Sequence, residues 1–143
     1  MFMPDVNILV YAHREDSPFH AQALSWLEDA ANARTPFSLA EPVLSGFVRV
    51  VTHPRVFTRP STLDEALEFA QCLAERRNVF RSRPGLHHWT IFVRLCQAAG
   101  VRGSLVADAY LAALAIEQGA EWVTTDRDFA RFPGLRWRHL LDL

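Results

Sequence analysis

Four carboxylates, Asp5, Glu41, Asp108 and Asp126, fall where an acid is either useful or costly. Asp5 closes the short apolar run Phe2-Met3-Pro4. Glu41 stands between Phe37-Ser38-Leu39-Ala40 and Pro42, and Asp126 follows Glu121-Trp122-Val123-Thr124. These three lie at the carboxyl ends of expected strands, where parallel α/β sheets bind their ligands. Each also has an ordinary reading. Asp5 could make an Asx turn or a helix cap, Glu41 is favoured by a helix dipole, and Asp126 or Asp128 could cap a helix starting near Phe129. Position favours Asp126 as the site residue and Asp128 as the cap or a supporting acid. Asp108 is harder to dismiss. It is the only charge between Arg102 and Glu117, in a helical run that is apolar nearly all round and so expected to be buried on most sides. Aspartate is a poor helix-interior residue, and an unpaired buried carboxylate is costly or gives up its charge. No cation lies three or four residues away, which leaves a distant arginine or a metal or catalytic role.

Brought to one sheet edge, these four acids would repel one another and raise each other's pKa values. A hard divalent cation relieves that repulsion, and an all-oxygen donor set selects Mg²⁺ or Mn²⁺ over zinc. Such a pocket suits phosphodiester hydrolysis, because a bound cation activates water and shields the charge that develops on phosphorus. Other chemistries are poorly supplied. All fifteen basic residues are arginine, so a P-loop or Schiff-base lysine is excluded. A phosphoryl-signalling receiver would need a lysine near its acids. A haloacid-dehalogenase-like phosphatase would want Asp-x-Asp on the first strand, where this chain has Asp5-Val6-Asn7. Ser17, Ser38, Ser45 and Ser104 lack the flanking glycines of a nucleophile elbow. Neither His13 and His20 nor His87 and His88 come with a third zinc-like ligand. Cys72 and Cys96 fit neither a disulfide framework nor a zinc site and are expected to be buried thiols.

The elements that must position the acids alternate between short strands and helices. Phe2–Asp5 reads as a first strand, which Val6–Tyr11 either prolongs or turns into a helix. Asp16-Ser17-Pro18 signals a helix start, with the helix running to about Ala33. Phe37–Leu39 is a brief strand, and Glu41-Pro42 opens a helix that stops before Pro54. Ser61–Glu65 resembles a capping box, and the helix after it turns Ala66, Leu67, Ala70 and Leu73 inward. Val79-Phe80 is a small strand. Trp89, Phe92, Val93 and Cys96 share one helix face, read as core. Gly103-Ser104 starts the long helix that carries Asp108, and Gln118-Gly119 closes it. Glu121–Thr124 and Arg136–Leu140 complete the strands. The pattern implies an α/β sandwich around a mostly parallel sheet.

From Arg76 to Ala107 there is no acid, while Arg76, Arg77, Arg81, Arg83, Arg94 and Arg102 fall within that span. The net charge is only −1, so this local excess is the feature that suggests a surface following an RNA backbone. A solvated face, or pairing with the acidic helix at Asp64–Glu75, is the alternative. The length of 143 residues favours one domain, 1–143. No apolar run is long enough for a membrane helix, and Met1–Asp5 lacks the pattern of a secretory signal, so a cytoplasmic, membrane-free protein is expected.

Met3–Tyr11, Glu41–Leu44, Val106–Ala115 and Val123–Phe129 occur in the order and at the spacing of PIN-domain ribonucleases. More closely, the chain resembles the VapC toxins of type II toxin–antitoxin modules, including its ending Asp128–Leu135. The resemblance covers essentially the whole chain. It implies a PIN-like three-layer α/β/α sandwich and Mg²⁺- or Mn²⁺-dependent endoribonuclease activity. It also implies inhibition by a VapB-type antitoxin and a homodimer. Carried over by position, the four acids of the site are Asp5, Glu41, Asp108 and Asp126; the mechanism expected of them has Asp5, Asp108 and Asp126 ligate the metal and Glu41 hold a second ion or orient its water. Asn7 and Thr124 match polar positions that support the pocket, and Asp128 matches an additional acid. A non-catalytic PIN-like RNA- or protein-binding module is the competing expectation.

Overall fold

The computed structural model describes residues 1–143. Along the chain run β1 (Phe2–Pro4), α1 (Val6–His13), α2 (His20–Asn32), β2 (Phe37–Ala40), α3 (Glu41–Val51), α4 (Leu63–Ala74) and β3 (Val79–Ser82). They are followed by α5 (His88–Ala99), α6 (Ser104–Glu117), β4 (Glu121–Thr124), a 3-10 turn (Arg127–Arg131) and β5 (Trp137–His139). The five strands form one sheet in the order β3-β2-β1-β4-β5, and every pairing is parallel.

The strands are short, and the central ones are buried on both sides, as parallel strands covered by helices must be. From β1 the chain steps outward to β2 and then β3 through α1–α2 and α3–α4. It then returns through α5–α6 to place β4 on the other side of β1. Right-handed crossovers therefore put α1–α4 on one face of the sheet and α5–α6 on the other. The packing agrees: α1 lies against α2 and α3, α3 against α4, and α5 against α6. The result is three layers around a core of 29 buried residues that includes Trp122, Phe37, Phe47 and Leu39. The direction of winding reverses between β1 and β4, and the crevice beyond the carboxyl ends of those two strands is where such sheets bind ligands.

Of the two readings open for Val6–Tyr11 the structure shows the helix, so Asp5 becomes the residue that starts α1. Several other local expectations are corrected. The second helix begins at His20 and not near Asp16-Ser17-Pro18. Asp16 is taken by Arg14 at 2.7 Å and the Ser17 hydroxyl donates to the carbonyls of Tyr11 and Arg14, which ties that stretch into a turn. Phe19 then enters the helix with a left-handed φ of 61°. The capping box forms on Thr62 and Glu65 as spaced, but Leu67 and Cys72 on that helix face solvent. Trp89 is 67% exposed and is not core, because α5 buries the face of His88 and Leu95 instead. The first turns of α6 are open as well, with Val106 and Ala107 exposed and burial beginning at Ala109.

Candidate active site

Asp5 follows the last residue of β1 and caps α1. Its Oδ1 accepts from the Val6 N–H at 2.6 Å, while its own N–H donates to the Val123 carbonyl at 2.8 Å. The register that pairs Pro4 with Val123 places Thr124 beside it, and the Thr124 hydroxyl donates to Asp5 Oδ2 at 2.6 Å. Asn7, on the first turn of α1, donates from Nδ2 to Asp5 Oδ2 at 3.1 Å and to Thr124 Oγ1 at 3.2 Å. Thr124 Oγ1 also accepts from the Asp126 N–H at 2.9 Å, so one hydroxyl ties two acids to one strand end. Asn7 Oδ1 accepts from the Thr125 N–H at 3.4 Å.

Asp126 both caps and faces the crevice. Its Oδ1 accepts from the Asp128 N–H at 2.8 Å and starts the 3-10 turn. The cap is thus Asp126 and not Asp128, since a residue two positions into the turn cannot reach the free N–H groups ahead of it. Asp128 instead points to Arg131, 3.3 Å away on the next turn.

Asp5, Asp108 and Asp126 line a single cleft of about 390 Å³ together with Asn7. Their charges act on one another. Burial, aided by the charges of Asp108 and Asp126, pushes the Asp5 carboxyl up from 3.8 to about 7, against the opposing hydrogen bonds from Thr124 and Val6. Burial and then the charge of Asp126 raise Asp108 too, with Arg131 partly offsetting them. Asp108 makes no ion pair, so the distant-arginine alternative for it is not realised. Arg131 escaped the sequence reading. Its position three residues after Asp128 is the signal that could have found it.

Glu41 is at the same edge, one residue beyond β2, but it is not drawn into the cleft. Its carboxylate meets Arg83 Nε at 2.9 Å, across from the end of β3. The six arginines of the acid-free stretch do not share one surface either. Arg76 and Arg77 precede β3 and lie at the opposite edge of the sheet from Asp5, while Arg83 follows β3 at the Asp5 edge. None pairs with the acidic α4, and Arg83 is the one engaged in an ion pair.

As the acids are placed, no three of them close around one point as a ready-made chelate. The donor set nevertheless suits a Mg²⁺-like cation. It is all oxygen, and such cations commonly use one or two carboxylates, with waters and substrate phosphate completing the shell. Asp5, Asp108 and Asp126 share this cleft, and no arginine of the chain is ion-paired with any of them.

Residues 2–135 match the family model of the PIN domain. The VapC ribonuclease Mb2897 of Mycobacterium bovis is 46% identical over 142 residues, covering 99% of this chain and 97% of that one. Ribonuclease VapC25 of Mycobacterium tuberculosis is 36% identical over 136 residues, covering 95% and 96%. Among solved structures, VapBC2 from Rickettsia felis, bound to a DNA fragment from its promoter, superposes with a TM-score of 0.72. It is 18% identical and covers 96% of this chain and 97% of that one, a likeness of fold. An all-parallel sheet with carboxylates at its switch point, matched over nearly its full length by these relatives, places the chain in the PIN-domain family and, within it, among the VapC ribonucleases.

Proposed function

We propose that this chain is a Mg²⁺- or Mn²⁺-dependent endoribonuclease and the toxin of a toxin–antitoxin pair, acting as a single domain, 1–143. The observation that carries the reading is the convergence of Asp5, Asp108 and Asp126 on one cleft, where burial and the neighbouring carboxylates raise the pKa values of Asp5 and Asp108. Asp5, Asp108 and Asp126 would hold the cation. When bound, it supplies an activated water and stabilises the charge that develops on the phosphate. The chain's own residues do the positioning. Thr124 and Asn7 fix one Asp5 oxygen and the Val6 N–H fixes the other, so the carboxylate is oriented before substrate arrives. Asp126 is held by its bond to the Asp128 N–H. Glu41, at the same sheet edge but ion-paired to Arg83 outside the cleft, is the acid that would hold a second ion or orient its water. Asp128 and Arg131 tune the charge at Asp108.

The solved relative VapBC2 is a two-component assembly on DNA, which supports a VapB-type antitoxin as the partner of this chain. A homodimer is supported by exposed apolar surface on α5 and α6, where Trp89 and Val106 are uncovered. No helix is long and apolar enough to cross a membrane.

The test is cleavage of RNA by the purified protein with and without Mg²⁺ or Mn²⁺. The wild type cuts in the presence of either ion, and Asp5→Ala abolishes cutting while far-ultraviolet circular dichroism shows the fold retained. Full activity in Asp5→Ala refutes the assignment. A wild type that cuts nothing, with a melting temperature that neither ion raises, leaves the non-catalytic binding module as the reading.

A further inference from the structure

The cleft that holds the carboxylates is lined mostly by apolar side chains. Val6, Val10 and Tyr11 come from α1, Val50 from the end of α3, Val56 and Phe57 from the loop between α3 and α4, and Phe129 from the 3-10 turn. A site that handled only a hydrated cation and a phosphate would have no use for such a wall. Val56 is 55% exposed, an apolar side chain kept at the mouth of a charged cleft. The loop that carries it is not slack. The His53 carbonyl accepts from the N–H groups of Val56 at 3.1 Å and Phe57 at 3.2 Å, and His53 Nδ1 accepts from the Arg55 N–H at 3.0 Å. Ser61 returns the chain to α3 by donating its N–H to the Val51 carbonyl at 2.8 Å. Phe57 is clamped by the Arg14 guanidinium, 4.2 Å from the ring centroid, and Arg14 is itself held by Asp16 and by Ser61. The wall is therefore preformed, and its aromatic ring is fixed rather than adaptable.

The segment that supplies Val50, Val56 and Phe57 carries charge of one sign. From Pro42 to Leu63 the chain contains no acid, and it carries Arg49, Arg55 and Arg59. A preformed apolar wall beside carboxylates, on a segment bearing only positive charge, matches a nucleotide: its phosphate at the acids, its base on the wall, its neighbouring phosphates toward the arginines. The volume, about 390 Å³, lies within the range of ~300–1,000 Å³ common for small-molecule sites. A base can reach such a wall only when it is unstacked and unpaired.

We propose that Val56 and Phe57, with Tyr11 and Val50, form a nucleobase subsite that receives an unpaired base next to the scissile phosphate and so sets which sites in RNA are cut. This deepens the ribonuclease reading and rests on it. The α3–α4 loop is then the specificity element, and the acid-free stretch later in the chain is not.

The experiment uses the full chain and a randomised single-stranded oligoribonucleotide, with the ends of the products sequenced. Wild type is compared with Val56→Ser, Phe57→Leu and, as a control outside the cleft, Leu67→Ser on the solvent face of α4, whose side chain is 40% exposed. The expected result is a base preference beside the cut that Val56→Ser and Phe57→Leu broaden and Leu67→Ser leaves alone. KM for a preferred site should rise about tenfold in the first two variants, the size expected for one lost base contact. An abasic nucleotide at that position should cost the wild type the same factor and cost Val56→Ser little more. Cleavage by both wall variants with unchanged context and KM overturns the subsite while leaving the ribonuclease assignment intact. Loss of binding to the co-expressed antitoxin with unchanged cleavage context gives the wall to a protein partner and equally overturns it. No cleavage by the wild type under Mg²⁺ or Mn²⁺ overturns the underlying reading, and this one with it.

Discussion

Asp5 performs two tasks that pull in opposite directions. As a helix cap it favours its ionised form, through the Val6 N–H at 2.6 Å, yet burial and two neighbouring acids favour the protonated form and win, with a pKa of about 7. Raised above its value in the unfolded chain, the group adds stability that is fully present below about pH 4 and is lost as pH climbs through 7. In chelator-treated protein the melting temperature should therefore fall between pH 5 and pH 8. Asp5→Asn should flatten that fall, since it keeps an acceptor for Val6 and Thr124 without the charge. Added Mg²⁺ or Mn²⁺ should raise the melting temperature most at pH 8. A wild-type curve that rises from pH 5 to pH 8 in chelator would contradict the account. Asp108 was legible in the sequence because a single charge in an apolar helix has no local excuse. The engagement of Glu41 with Arg83 was not, because it depends on β2 and β3 being sheet neighbours, which neither residue's surroundings announce.

At the scale of elements, the 3-10 turn after β4 depends on Asp126 for its start and the cleft depends on the same residue for its charge. Two substitutions separate the roles. Asp126→Asn retains an N-cap acceptor, so its melting temperature in chelator should stay within error of the wild type or rise, while the gain from Mn²⁺ shrinks. Asp126→Ala should lose the same gain and a further ~1 kcal/mol with the cap. Equal stability of the two variants in chelator would show that the cap contributes nothing. The elements themselves were readable from periodicity and punctuation, as with Thr62 and Glu65. Periodicity says which residues share a face and not whether the face is covered. That is why Trp89, Leu67 and Cys72 were misplaced, and why the wall made by Val56 and Phe57, which exists only once a loop is folded against α1, left no trace.

Over the whole molecule, the reversal of winding between β1 and β4 does most to assemble the site. It brings Asp5 and Asp126, from opposite ends of the chain, to adjacent strand ends. The expectation of acids gathered at one edge followed from strand ends alone, whereas the order of the strands needed the structure. The same view shows unpartnered apolar surface. Glu117 accepts from the N–H groups of Gly85 and His87, at 2.7 and 2.9 Å, and so holds Leu86 out into solvent near Trp89. Nearby, Phe92, Val106, Tyr110 and Leu111 line a groove with Pro42 and Gly46. Patches of this kind mark interfaces. Light scattering after size exclusion should find the wild type as a dimer at micromolar concentration and Trp89→Asp shifted toward monomer. A monomeric wild type at that concentration would remove the homodimer from the proposal.

The absence of any bond to Asp108 also bears on how this protein could lose its activity over time. At position 5 or 126 an aspartate, asparagine or serine would be retained for the sake of a helix start, even in a copy that no longer cuts anything. Position 108 has no such protection. Its carboxylate supports nothing in the scaffold and is a standing cost to it, so an alanine there would be welcomed as soon as catalysis ceased to matter. Of the three acids in the cleft, Asp108 is the one whose persistence across descendants would report a working enzyme.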